Sequence, residues 1–197
     1  LDSEYELLDT GIFGDDRYWV VDVQYAKADP TDILMTISVT NAGPDTELLH
    51  VLPTMWYRNT WSWDADATRP TMAATSTGTV TVKHPFLGQL ELLPGLDPQG
   101  ACPELLFCDN DTNLERLYGV PSSSRWPKDG INDHVVSRAG TVNPERCGTK
   151  FAAWYRLTVA PGETAQVRLR LRPEGAGPDA ATALGTDFAR VQAQRRD

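Results

Sequence analysis

The chain has 197 residues, of which 41% are hydrophobic, enough for one sizeable core and ordinary for a globular protein. Its net charge of −9 and pI near 4.8 exclude nucleic acid as a natural partner, because phosphate binding needs clustered Lys and Arg and the basic residues here are dispersed among acids. No run approaches the ~18 apolar residues of a membrane-spanning helix, and no basic segment followed by an apolar one opens the chain, so the sequence predicts a soluble, cytoplasmic protein with no membrane partner.

The start, Leu1-Asp2-Ser3-Glu4-Tyr5, has no initiator Met and leads almost at once into patterned sequence, which predicts a piece of a longer protein. Strict alternation then dominates, and alternation means half-buried strands. Trp19, Val21, Val23 and Tyr25 share one face of a first strand, with Asp22 and Gln24 opposite. Ile33, Met35, Ile37 and Val39 repeat the pattern before a turn at Asn41-Ala42-Gly43-Pro44. Leu48 to Tyr57 reads as a third strand, broken by Pro53, which cannot donate to a ladder and so marks an edge or a bulge.

Directly after it, three tryptophans fall within Trp56-Tyr57-Arg58-Asn59-Thr60-Trp61-Ser62-Trp63. Indole faces beside planar donors suit the C–H faces and hydroxyls of a sugar. The same residue types build protein interfaces or complete a sandwich core, and the sequence leaves all three readings open.

Weaker strands follow at Gly78 to Lys83 and Gly88 to Leu93, then a short apolar one at Glu104 to Cys108. From Asp109 to Gly148 the chain is polar and aperiodic; a loop this long in a compact domain is functional, docked on a neighbour or disordered. Within it, Asp109-Asn110-Asp111-Thr112-Asn113 begins like a calcium loop, but Leu114 and Val120 stand where Gly and Glu are needed, and a hydrogen-bonded loop is the better reading. Asn110-Asp111-Thr112 is also a glycosylation sequon, relevant only to a chain secreted by a eukaryote. Asp129, Asp133 and His134, near Lys128 and Asn132, could form an acid–base cluster; adjacency along a loop does not set the spacing that glycoside hydrolysis requires. His50 and His84 read as structural. No nucleophile elbow, phosphate-cradling loop or zinc-protease motif occurs, and no cofactor or metal is expected.

The last strands are the clearest. Phe151, Ala153, Tyr155, Leu157 and Val159 alternate along one, Pro161-Gly162 turns the chain, and Ala165, Val167, Leu169 and Leu171 alternate along the next. Antiparallel strands with short turns and no intervening helices predict an all-β sandwich. Gly175-Ala176-Gly177-Pro178 then reads as a linker, and Asp179 to Arg196 as the start of a helix, giving a β-sandwich over 1–174 and a linker with the beginning of a helix over 175–197. Cys102, Cys108 and Cys147 cannot all pair within one chain and match no zinc spacing, which suits free thiols in a reducing compartment, with a Cys102–Cys108 bridge as the rival arrangement.

Several segments taken in order resemble the bacterial glucosidase-like proteins of glycoside hydrolase family 63, which includes the mannosyl-oligosaccharide glucosidases. They are Leu7-Leu8-Asp9-Thr10-Gly11, Asp15-Asp16-Arg17-Tyr18, Val51-Leu52-Pro53-Thr54 leading into Trp56 to Trp61, Glu115-Arg116-Leu117-Tyr118-Gly119, and Lys128-Asp129-Gly130-Ile131-Asn132-Asp133. The resemblance implies an N-terminal sandwich of the large "supersandwich" kind, a helical linker, and a C-terminal (α/α)6 toroid carrying the catalytic acid and base. This chain resembles the sandwich alone, so no catalytic residue is carried onto it. The resemblance implies a non-catalytic domain that packs on the toroid and shapes the rim of its active site, with an independent carbohydrate-binding module as the alternative. Trp56, Arg58, Asn59, Trp61, Trp63, Glu115, Arg116, Lys128, Asp129, Asn132 and Asp133 are the candidate interface or sugar contacts. The expected partners are the toroid of the same parent chain and an α-glucoside; an uncovered apolar surface would also favour a homodimer of the fragment.

Overall fold

A computed structural model describes residues 4–64 and 66–195. Among these residues eleven strands form two packed antiparallel sheets: β1 (Trp19–Asp29), β2 (Asp32–Asn41), β3 (Glu47–Val51), β4 (Thr54–Trp56), β5 (Thr71–Ala74), β6 (Val80–His84), β7 (Gly88–Pro94), β8 (Glu104–Cys108), β9 (Cys147–Gly148), β10 (Lys150–Val159) and β11 (Thr164–Pro173). The larger sheet runs β1-β2-β11-β7-β6-β5-β9; the smaller is built on β10, which pairs with β3, β4 and β8. The protein is an all-β antiparallel sandwich, as the alternation predicts.

The core lies where the alternating faces meet. Ile37, Val39, Val167 and Leu169 of the large sheet pack with Phe107, Phe151, Tyr155 and Leu157 of the small one, and the Phe107 and Phe151 rings lie 5.1 Å apart. The Tyr155 phenol, deep in this layer, donates to the Gly95 carbonyl at 2.8 Å, so its burial leaves no polar atom stranded. Asn41 closes the β2–β3 turn: its amide donates to the carbonyls of Asp45 and Val159 and its oxygen accepts from the Gly43 N–H, which ties the turn to the small sheet.

Pro53 acts as the sequence requires. β3 and β4 are one edge strand interrupted at residues 52–53, holding one register along β10 with Val51 opposite Tyr155 and Thr54 opposite Ala152. Pro53 lacks an N–H but keeps its carbonyl, which accepts from Ala153.

The polar stretch from Asp109 onward is ordered by two helices that its composition hides, α1 (Leu114–Tyr118) and α2 (Gly130–Ser137). α2 and its flanks cover the outer face of the small sheet, where Ile131, with Trp126, Val135 and Val142, packs on Leu106, Ala152 and Trp154. The close approach is set by glycine: a Cβ at Gly130 would meet the Thr141 carbonyl oxygen at 2.2 Å.

Beyond the linker, α3 (Ala180–Leu184) and α4 (Thr186–Gln194) lie on the outer face of the large sheet. Phe188 and Val191 of α4 are fully buried against Leu34 of β2. Arg170 of β11, buried beneath, forks to Asp32 at 2.6 Å and to Asp187 at 2.6 Å, a charge pair held at both ends. Arg196, where the sequence ends this helix, and Leu1 to Ser3 lie outside the described residues. Among the described residues no helix is long and apolar enough to cross a membrane.

All three cysteines are free: Cys102 is exposed, Cys108 buried and Cys147 half-buried. The Cys102–Cys108 bridge is not formed, and burial pushes the Cys108 thiol up to about 12, which makes it inert packing rather than a nucleophile.

Candidate functional site

Three loops that are distant in sequence converge at the end of β4 and β8: the tryptophan loop after Trp56, the Asp109–Asn113 turn, and the segment from Trp126 to Asp133. Asp111, 5% exposed, is the post that joins the first two. Its carboxylate accepts from the Asn59 amide at 2.8 Å and from the Arg69 guanidinium at 2.8 Å. Arg69 also pairs with Asp109 at 2.8 Å and lies over the Trp61 ring at 5.3 Å. The Asn110 amide donates to the Tyr57 carbonyl at 2.7 Å, so the sequon asparagine is committed to this scaffold.

The second and third loops are joined in the same way. The Lys128 N–H donates to the Asp111 carbonyl, and its ammonium reaches the Thr112 hydroxyl at 3.2 Å. Asp129 accepts from the Asn113 amide at 3.0 Å, and Arg116 bridges Asp129 and Asp133 at 3.1 and 2.9 Å, which raises the Arg116 pKa. Asn132 makes only a long contact with Asp133, 3.4 Å.

The structure therefore brings together Asn59, Arg116, Lys128, Asp129 and Asp133 through bonded partners. It divides the tryptophans. Trp63 is 70% exposed with the Arg58 guanidinium over its ring at 5.3 Å, and Trp56 is 57% exposed, whereas Trp61 packs against the core between the sheets with its N–H buried and unpaired. Glu115 is exposed at the start of α1, and among the described residues it bonds through its backbone alone, its N–H donating to the Ser122 hydroxyl and its carbonyl accepting from Gly119.

The chemistry of this arrangement is that of anchoring. Asp109 and Asp111 serve Arg69, Asn59, Ser124 and Thr149, and the Asp129 and Asp133 carboxylates share Arg116. The ring nitrogens of His134 contact the Ala139 carbonyl at 2.8 Å and Glu104 at 3.3 Å; His84 accepts two backbone N–H groups at 3.2 Å. Both are structural histidines. Among the described residues no group of three or more His, Cys, Asp or Glu is placed to hold a metal ion.

One cavity opens beside these anchors. It has a volume of about 580 Å³ and lies between α1, the Pro121–Pro127 segment and the start of α2. Ser122, Ser124, Arg125 and Trp126, which line it, carry no sequence signal beyond a serine-rich run ending in an Arg-Trp pair. Arg69, too, is silent in sequence, because its acidic partners lie about forty residues away.

No protein-family model matches the chain. It is similar to the uncharacterized protein YMR196W of Saccharomyces cerevisiae, 28% identical over 201 residues. The match takes in 86% of this chain and 18% of the yeast protein, so the chain spans less than a fifth of the length of that curated relative.

Proposed function

We propose that this chain is the non-catalytic sandwich domain of a glycoside hydrolase resembling family 63, which packs on the (α/α)6 catalytic domain of its parent and shapes one rim of that domain's cleft. The observation that carries the reading is the loop cluster itself. Three of the segments on which the resemblance rests, at Val51 to Trp61, Glu115 to Gly119 and Lys128 to Asp133, converge on one end of the sandwich and are cross-braced by Asp111, Arg69 and Arg116. Such bracing holds a loop surface rigid, as a surface that meets another domain must be. Trp56 and Trp63 stand out from it with Arg58 beside them, the residue types that dominate interface energetics.

The parent's reaction would be hydrolysis of an α-glucosidic bond with inversion, its acid and base supplied by the toroid. Asp109, Asp111, Asp129 and Asp133, the carboxylates of the loop cluster, are committed to arginines and to neighbouring side-chain and backbone donors, which favours a supporting role. Free thiols at Cys102, Cys108 and Cys147 agree with a cytoplasmic location. The test is direct: the purified chain should release no glucose from α-glucosides at any pH, and robust turnover by it would overturn the reading.

The alternative, an independent carbohydrate-binding module, draws on the exposed Trp63 with its stacked Arg58. A platform of Trp61 and Trp63 together is less favoured, because the Trp61 ring is already packed on the core.

A further inference from the structure

The turn between β6 and β7 is capped by a histidine. His84 ends the row Val80, Val82, His84, whose first two members are buried in the core, and its ring lies 5.2 Å from that of buried Tyr57. From there its Nδ1 accepts the backbone N–H groups of both Phe86 and Leu87 at 3.2 Å. Neither N–H has a backbone acceptor among the described residues. This is the bonding of a helix N-cap, in which a side chain takes the N–H groups two and three residues on, and Asp, Asn, Ser and Thr are its usual occupants. Imidazole differs from them in one respect: it changes charge between about pH 5 and 8.

Acceptance at Nδ1 places the ring proton on Nε2, so the cap exists only in the neutral ring. Protonation puts a third donor where two N–H groups already point, and both bonds are lost together. The surroundings offer the cation little in return. Among the described residues no carboxylate lies within 4.0 Å of the ring nitrogens. Lys83 is exposed on the opposite face of β6, and β7 presents uncharged Gly88 opposite His84. Arg69, two residues before the Thr71 that pairs with Lys83, is matched by Asp109 and Asp111. Burial pushes the Tyr57 phenol up to about 12, which keeps it neutral here. Its tilted ring offers an imidazolium one cation–π contact at most, against two bonds lost.

We infer that His84 is a pH-sensitive latch on the β6–β7 turn: neutral, it fixes the turn and the orientation of Phe86 and Leu87; protonated, it releases them. Those two side chains, 91% and 61% exposed, form the apolar tip of the hairpin. The fold therefore presents a rigid apolar tip at neutral pH and a loose one in acid. The inference rests on the turn alone and stands or falls independently of the proposed hydrolase parent.

The test follows the whole chain by heteronuclear NMR from about pH 8 to about pH 5.5, across the imidazole range, reading the His84 ring nitrogens and the Phe86 and Leu87 amides. In the neutral ring the proton is expected on Nε2. As pH falls, both amides should move with the same midpoint as the ring. Their protection from exchange, corrected for its intrinsic pH dependence, should fall about tenfold, as the loss of one hydrogen bond each predicts. The β5–β6 turn at Thr75–Thr79, held by threonine hydroxyls, should not respond. His84→Asn supplies an acceptor that does not titrate, so it should keep the turn amides protected and abolish their response to pH. His84→Ala should give unprotected turn amides even at about pH 8. The inference is overturned if the neutral ring carries its proton on Nδ1, if the two amides do not follow the ring, if His84→Asn responds to pH as the unaltered chain does, or if His84→Ala leaves the amides protected.

Discussion

Asp111 shows how a single side chain can decide the geometry of a surface it does not reach. It is 5% exposed, and its two oxygens hold Asn59 of the tryptophan loop and Arg69. Removing it takes the shorter acceptor from Asn59 and one of two carboxylates from Arg69, which keeps Asp109, so Asp111→Ala should cost about 1–2 kcal/mol, read as a lowered denaturation midpoint, with Trp63 fluorescence shifting toward that of free indole. The tryptophans themselves separate on burial. Trp61→Ala should cost about 3 kcal/mol by opening a void against the core, whereas Trp63→Ala should stay within about 0.5 kcal/mol of the parent chain. Equal costs in urea titrations would show that the loop folds differently from what its contacts indicate. The sequence makes the aromatic cluster conspicuous but cannot rank its members, because burial is decided by which ring faces the sheets after Tyr57 turns inward. The Asp109–Asn113 run was legible as a bonded loop for a local reason: acids and amides at alternate positions find backbone and side-chain donors nearby. Its partner Arg69 was not, since an ion pair across that separation leaves no periodic trace.

At the scale of elements, alternation located most of the long strands within a residue or two, because one face of each must be apolar and the other not, although β1 runs four residues beyond Tyr25 to Asp29. It missed β5 and β9, which are too short to show a period, and α1 and α2, whose five and eight residues are stabilised by docking rather than by propensity. The Ala-rich helix was legible as a helix, while its seat was not. That seat depends on Phe188 and Val191 meeting Leu34, and on Arg170 meeting Asp187. Phe188→Ala should therefore cost about 3–4 kcal/mol in the whole chain, measured by thermal or chemical unfolding. A change under about 0.5 kcal/mol would mean that α4 is not coupled to the sheet. The ion pair adds a pH signature. Hydrogen bonds from Arg170 and then Arg190 hold the Asp187 carboxyl below its ordinary value. A group whose pKa is depressed by folding contributes stability above its unfolded pKa, about 3.9, and loses it as pH falls through the folded value. The stability gap between the parent chain and Asp187→Asn should thus be widest near neutrality and narrow below about pH 4. A gap that is constant with pH would deny the pairing.

For the whole molecule, the unequal sizes of the two sheets matter most. β1 is the outermost strand of the larger sheet, and its register places Val21, Val23 and Tyr25 opposite Val39, Ile37 and Met35, the inward-facing residues of β2. Yet these three are 55%, 45% and 69% exposed, because the smaller sheet does not extend over them. The segment before β1 adds Leu7, Leu8, Ile12 and Phe13, all exposed. The periodicity of the sequence predicts which face of β1 is apolar and says nothing of whether a second layer covers it, since that depends on strand pairing elsewhere. An uncovered apolar face of this kind favours association. The edge is partly blunted: Asp22 and Lys27 sit on β1, and the pairing slips between Lys27 and Asp29. Those devices oppose strand-to-strand addition but leave the face itself bare, so any association should be driven by apolar burial and respond weakly to salt. The isolated chain is accordingly expected to show concentration-dependent sedimentation, reversed by Val23→Lys and little changed by Lys27→Ala. A chain that sediments as a monomer at every concentration would mean that the net charge of −9 outweighs the exposed face. Sensitivity to Lys27→Ala with indifference to Val23→Lys would shift the contact from the face to the strand edge.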